Sequence, residues 1–186
     1  PPTQPYFFFV QAEQFMVIQA GDFVTLPLIW DGATLRRSKG ITNTAVAPGT
    51  HGVNEIPPAG SMDYFMGRLW YAQGRQYSAG DIVKGGSGSA QYGFRDSVLN
   101  VTESPMVLGQ GGTGDGFTVP DQAGNVRSLF HSTQINATLG QGQLFAFARR
   151  AIYAQLVPIT RTLWLATTNA NQPQQTIINL NNGSVN

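Results

Sequence analysis

Charge is scarce in this chain. Its 186 residues carry eleven Lys or Arg and ten Asp or Glu, 11% of the total, against about 25% in an ordinary soluble domain. Such a surface gains little solubility from charge and suits a chain that is largely covered inside an assembly. The net charge of +1 leaves no global basic field to draw nucleic acid or an anionic membrane surface. Cysteine is absent, which excludes disulfides, thiolate metal sites and a Cys nucleophile. That absence fits either a reducing cytoplasm or an assembly that cannot risk oxidation. No apolar run reaches the about 18 residues needed to span a bilayer. The stretch Tyr6-Phe7-Phe8-Phe9-Val10 is too short, and no Lys or Arg precedes it as a signal peptide requires. No membrane contact is expected. The chain starts at Pro1 without a Met, which leaves two readings, removal of Met or a piece of a longer protein.

Helix signals are nearly as scarce. With 22 Gly and 11 Pro, few windows of helical length escape a breaker. Phe94 to Thr102 is the one plausible helix, and its β-branched residues weaken it. What the chain does have is short β-branched and aromatic runs between Gly, Pro, Asn and Asp clusters, the signature of strands. The expected strands are Tyr6 to Gln11, Phe15 to Gln19, Leu26 to Trp30, Met62 to Ala72, Gln91 to Phe94, Val98 to Val101, Val126 to His131, Gln143 to Ala148, Ala151 to Pro158, Thr162 to Thr167 and Thr176 to Leu180. Loops rich in small residues are expected at Gly32 to Pro58, Lys84 to Ala90 and Gly109 to Gly116.

A degenerate two-strand unit recurs three times. Phe15-Met16-Val17-Ile18 leads through Gly21-Asp22 to Leu28-Ile29-Trp30. Gly67-Arg68-Leu69-Trp70-Tyr71 leads through Gly74-Arg75 to Tyr77. Gly142-Gln143-Leu144-Phe145-Ala146-Phe147 leads through Arg149-Arg150 to Ala151-Ile152-Tyr153. The uneven spacing suits blades of about four strands with variable insertions. The fold expected is therefore all-β, built of β-propeller-like blades of antiparallel strands, with a β-sandwich or jelly roll as the alternative. Residues 1–186 read as one all-β region, part of a larger propeller, with approximate blades 6–58, 59–120 and 121–186. The apolar residues of the repeat, Phe15, Val17, Leu28, Trp30, Leu69, Tyr71, Leu144, Phe147, Ile152 and Tyr153, are the expected core. Three blades are fewer than the usual minimum of four, so the chain is expected to be incomplete or to depend on partners.

The motifs give chemistry no seat. Gly109-Gln110-Gly111-Gly112-Thr113-Gly114 matches G-x-G-x-x-G in form, but Asp115-Gly116-Phe117-Thr118-Val119-Pro120 cannot start the helix that a dinucleotide site needs. Lys84-Gly85-Gly86-Ser87-Gly88-Ser89 only looks like a nucleophile elbow. His51 and His131 lie far apart in sequence, and a hydrogen-bonded structural role suits His131 at a strand end better than metal ligation. Asp31 and Asp63 are candidate carboxylates for a glycosidase pair, but Asp31-Gly32 is a turn signal and Asp63 opens a strand. No catalytic residue, cofactor or metal is expected, and the chain does not read as an enzyme.

Two long segments and two short closing ones carry a resemblance. Ala59-Gly60-Ser61-Met62-Asp63-Tyr64-Phe65-Met66-Gly67-Arg68-Leu69-Trp70-Tyr71-Ala72-Gln73-Gly74-Arg75, continued by Tyr77-Ser78-Ala79-Gly80-Asp81-Ile82-Val83, is similar to virion proteins of short-tailed bacteriophages. So is Gly140-Gln141-Gly142-Gln143-Leu144-Phe145-Ala146-Phe147-Ala148-Arg149-Arg150-Ala151-Ile152-Tyr153 with Val157-Pro158-Ile159-Thr160-Arg161, and so are the closing Asn171-Gln172-Pro173 and Asn182-Gly183-Ser184-Val185. The likeness covers Phe15 to Val185. It implies a tail nozzle or adaptor type of β-propeller, in proteins generally several hundred residues longer. It carries no catalytic residue across. The Gly109 to Gly116 stretch is richer in glycine than that pattern.

The resemblance implies a structural component of a virion, at the head–tail junction or tail nozzle, that assembles with copies of itself and other virion proteins into an oligomer through which DNA passes. Arg36, Arg37, Arg149 and Arg150 are then the expected channel contacts, weak and transient so that DNA does not stall. A capsid decoration protein, or a carbohydrate- or receptor-binding module with Trp70, Tyr77 and Trp164 as its aromatic platform, are the alternatives.

Overall fold

The computed structural model describes residues 6–42, 54–83, 96–102, 117–132, 142–155 and 174–175. They form three four-stranded antiparallel sheets. The first contains β1 (Phe8–Ala12), β2 (Phe15–Gln19), β3 (Leu28–Trp30) and β4 (Leu35–Arg37). The second contains β5 (Met62–Phe65), β6 (Arg68–Gln73), β7 (Gln76–Ala79) and β8 (Phe117–Thr118). The third contains β9 (Val126–His131), β10 (Leu144–Ala148), β11 (Ile152–Gln155) and β12 (Gln174–Gln175). In each sheet every strand pairs with its successor in sequence, so each is a meander built by hairpins. The three copies of the repeated unit fall on the second and third strands of their sheets. Helix is confined, among the described residues, to 3-10 turns at Asp96–Leu99 and Asp121–Ala123, and none is long and apolar enough to cross a membrane.

Two hairpin turns account for Gly67 and Gly74. Between β5 and β6, Met66 and Gly67 both take positive φ, 54° and 70°, as a type I′ turn demands. Gly74 takes φ 64° at the β6–β7 turn, the first position of a two-residue turn, which type II′ gives to glycine. The Met66-Gly67 turn splits what the sequence suggests is one strand, Met62 to Ala72. A Met at the first turn position hides it, because the usual signal there is Asn or Asp before Gly.

The sheets stack in sequence order, with the second in the middle. Successive side chains of a strand point to opposite faces, and β6 is buried on both. Leu69 and Tyr71 join Phe15, Val17, Ile29 and Met62 in the core shared with the first sheet. Trp70 and Ala72 join Leu129, Leu144, Ala146 and Tyr153 in the core shared with the third. The first strands of the sheets lie side by side, β1 against β5 and β5 against β9.

Four residues expected in the core lie elsewhere. Leu28, Trp30, Phe147 and Ile152 belong to the opposite faces of their sheets. Trp30 pairs with Met16, and Leu28 with Ile18. Phe147 pairs with Ile152. The buried partners are Ile29 and Ala146 one residue away, because apolar character alone does not say which face of a strand is covered. Val98 to Val101, read as a strand, begins instead inside the 3-10 turn, and Asn100 makes an isolated bridge to Glu55. The expected loop Gly32 to Pro58 contains β4, too short and polar to show a period. Gln91 to Phe94, Thr162 to Thr167, Thr176 to Leu180 and the glycine-rich stretches 84–90 and 109–116 lie outside the described residues.

Candidate functional site

The polar side chains collect at the joints between sheets. At the joint of the first and second sheets, the Tyr64 hydroxyl on β5 donates to Glu13 Oε1 in the β1–β2 turn at 2.5 Å. Tyr64 titrates well above the usual tyrosine range, first because it is desolvated and then because Glu13 holds its proton. Glu13 stands at φ 55°, a left-handed conformation uncommon outside glycine, Asn and Asp. Arg36 on β4 grips Glu55 in a two-pronged pair, both contacts at 2.9 Å, and the Lys39 amide donates to the same carboxylate at 2.8 Å. Gln19, fully buried, donates to the Pro57 carbonyl and accepts from the Ala59 amide, both at 3.0 Å. The first sheet is thereby sewn to the 54–60 segment that leads into the second.

The joint of the second and third sheets follows the same plan. His131 Nδ1 on β9 meets Asp63 Oδ2 on β5 at 2.8 Å, and the His131 ring stacks on Phe65 at 4.9 Å. The Leu129 amide donates to Ser61 Oγ at 3.0 Å, and the Tyr77 hydroxyl donates to Gln155 Oε1 at 3.2 Å. Burial raises the Tyr77 and Tyr71 hydroxyls far above the ordinary range, so the Tyr77 hydroxyl keeps the proton it donates to Gln155.

The residues singled out from sequence are not gathered into one place. Trp70 and Tyr77 are 0% and 1% exposed and pack with Phe117 at ring separations of 6.2 and 5.5 Å. They are core, and an aromatic platform cannot include them. Trp164 and His51 lie outside the described residues. Arg36 is held by Glu55, and Arg37 donates to the Leu26 carbonyl at 3.2 Å. Arg149 and Arg150 lie exposed in the β10–β11 turn of the third sheet. Arg36 and Arg37 sit on the fourth strand of the first sheet, across the central sheet from them. Asp31 is a turn-former, accepting from the Ala33 and Thr34 amides at 2.8 and 2.7 Å and from the Thr34 hydroxyl at 2.7 Å. Asp63 faces His131. Among the described residues, no three His, Cys, Asp or Glu come together as a metal site would need.

The feature the sequence reading missed is a pair of apolar sheet faces that point away from the stack. On the first sheet these are Phe9, Met16, Ile18, Leu28, Trp30 and Leu35, with Phe9 63%, Leu35 56% and Trp30 40% exposed. On the third they are Phe130, Phe145, Phe147, Ile152 and Ala154, with Phe130 56% exposed. The signal was present. Phe15-Met16-Val17-Ile18 and Leu144-Phe145-Ala146-Phe147 are apolar at every position, the mark of strands meant to be covered on both sides. Comparison with protein-family models, with curated proteins and with solved structures finds no match.

Proposed function

We propose that the chain is a non-catalytic structural element, a run of blade-like sheets from a propeller-type array. We place it in a bacteriophage virion, at the head–tail junction or tail nozzle, in an oligomer through which DNA passes. The observation that carries the structural reading is the central sheet, which is covered on both faces by sheets of the same four-stranded plan. Face-to-face packing of antiparallel sheets also fits a β-sandwich; blades around an axis would repeat the same packing from sheet to sheet. The adjacency of β1, β5 and β9 fits that arrangement. The polar groups also support it, since Glu13, Glu55, Asp63 and His131 act as struts between layers. The virion placement rests on the resemblance of the two long segments to proteins of short-tailed phages. Its partners are copies of itself and other virion proteins, with Arg37, Arg149 and Arg150 among the exposed cations available for passing contact with DNA.

Gold-labelled antibody against the chain, applied to intact particles, tests the placement. Label at a single vertex or on the tail is the expected result. Label spread over the capsid faces would make it a decoration protein. A second reading, a carbohydrate-binding module, draws on the exposure of Phe9 and Trp30 on the first sheet. Binding on a glycan array that is abolished by Trp30→Ala would favour it.

A further inference from the structure

We infer that a second copy of this chain covers both outward apolar faces, head to tail. The first sheet of each copy packs on the third sheet of the other, and two copies close a ring of six sheets. The inference rests on reading the sheets as an array and not on the placement in a virion.

Continuity with the internal joints carries it. Each sheet has a leading face, turned toward the preceding sheet, and a trailing face, turned toward the next. At the first joint the trailing face of the first sheet (Ala12, Phe15, Val17, Ile29) meets the leading face of the second (Met62, Leu69, Tyr71). At the second joint the trailing face of the second sheet (Trp70, Ala72, Tyr77) meets the leading face of the third (Leu129, Leu144, Ala146). Among the described residues, two faces have no sheet packed on them. One is the leading face of the first sheet, and the other is the trailing face of the third. They are the two kinds that mate inside the chain, so the joint between copies repeats the joint within a copy.

The chemistry of the faces agrees. Cross-strand pairs on the third sheet set Phe145 beside Phe130 and Phe147 beside Ile152, and those on the first set Trp30 beside Met16 and Leu35. Among the described residues, the cross-strand pairs on these two faces include one charged side chain, Arg37, and Arg127 lies exposed at the irregularity of β9. Like-with-like stacking of first sheet on first sheet would leave both third sheets bare, whereas head-to-tail pairing covers all four faces. Contacts of this unlike kind either close or run on as a fibre. Six sheets fall inside the four to eight blades that close in propellers.

Sedimentation velocity of the full chain at micromolar concentration tests this. The expected species is a dimer of the 20.0 kDa chain. Leu35→Glu and Phe130→Glu each place a carboxylate on one face, at positions 56% exposed, so the fold itself is little burdened. Circular dichroism and melting of each variant confirm that it remains folded. Each variant alone should weaken the dimer by about tenfold or more, the effect of about 1.4 kcal/mol or more. An equal mixture of the two should recover dimer, because one of the two joints in the mixed pair is then free of either substitution. A monomeric wild type, a ladder of larger species, sensitivity to only one of the two variants, or no recovery on mixing would each overturn the inference. A monomeric chain whose label still sits on the tail would remove the pairing and leave the virion reading intact.

Discussion

Asp22 and Asp31 use one chemistry twice. Each carboxylate accepts two backbone amides and a threonine hydroxyl, from Val24 and Thr25 in one turn and from Ala33 and Thr34 in the other. These bonds favour the charged form and lower both groups from 3.8 to about 2, with the Thr25 hydroxyl the largest cause at Asp22 and the Thr34 amide at Asp31. A group depressed on folding adds stability above its unfolded value and loses it as pH falls through the folded one. The two turns should therefore lose their support between pH 3.8 and about 2. The double variant Asp22→Asn with Asp31→Asn should show a flatter melting temperature across that window in a scanning calorimeter. Two glycines separate strain from clash in the same way. Gly74 has φ 64° and open space where a Cβ would sit, so Gly74→Ala should cost only the left-handed strain, about 1–2 kcal/mol. Gly21 has φ 68°, and its Cβ would meet Phe8 and the Tyr6 carbonyl at 2.8 Å. Gly21→Ala should cost clearly more in urea titration.

On a single strand such as β10, neighbouring residues differ in fate. Leu144 is fully buried between the second and third sheets, and Phe147 faces outward. Leu144→Ala should cost about 2–5 kcal/mol, and Phe147→Ala less in the dissociated chain, both read from denaturant midpoints. The order reverses expectation from size alone, because the face decides. The same distinction explains how far the fold was legible. β2 and β9 coincide with their sequence-read bounds, since each is a compact β-branched or aromatic run with polar flanks. β4, β8 and β12 were missed, at three, two and two residues, because pairing to a neighbour defines them rather than composition. The joints were illegible for a different reason. Glu13 and Tyr64 are 51 positions apart and Asp63 and His131 are 68 apart, so only the stacking of sheets brings them together. Glu55 sits at 6% side-chain exposure under Arg36. Glu55→Gln should cost about 1–3 kcal/mol, the range for a hydrogen bond to a charged group left without its counter-charge, and a chemical denaturation curve would read it.

The molecule as a whole depends on its middle layer. Both apolar cores contain residues of β6, so neither outer sheet can leave without uncovering the second. Unfolding should be one cooperative step, with tyrosine absorbance and far-UV circular dichroism following the same curve; separated transitions would show that the sheets melt independently. The far-UV spectrum should hold well under a quarter helix, against about a third in ordinary globular proteins. The outer sheets depend on something else. Among the described residues, their outward faces are apolar where a solvated sheet would be polar, and a second copy packed on them would cover that surface as proposed above.

The double burial of β6 also gives the molecule an internal gauge. Its amides pair with strands on both sides, β5 and β7, and its side chains are covered above and below. Partial opening at a free face, at a turn or at the short outer strands leaves those amides closed. In deuterium oxide they should be the last to exchange, and their rate should track the global unfolding equilibrium. Amides of β4, at the rim of the first sheet, should exchange early. A mutation that changes only the outer faces would then shift exchange at β4 while leaving the β6 signal where it was, so one spectrum would tell damage to the fold from damage to the contacts it offers.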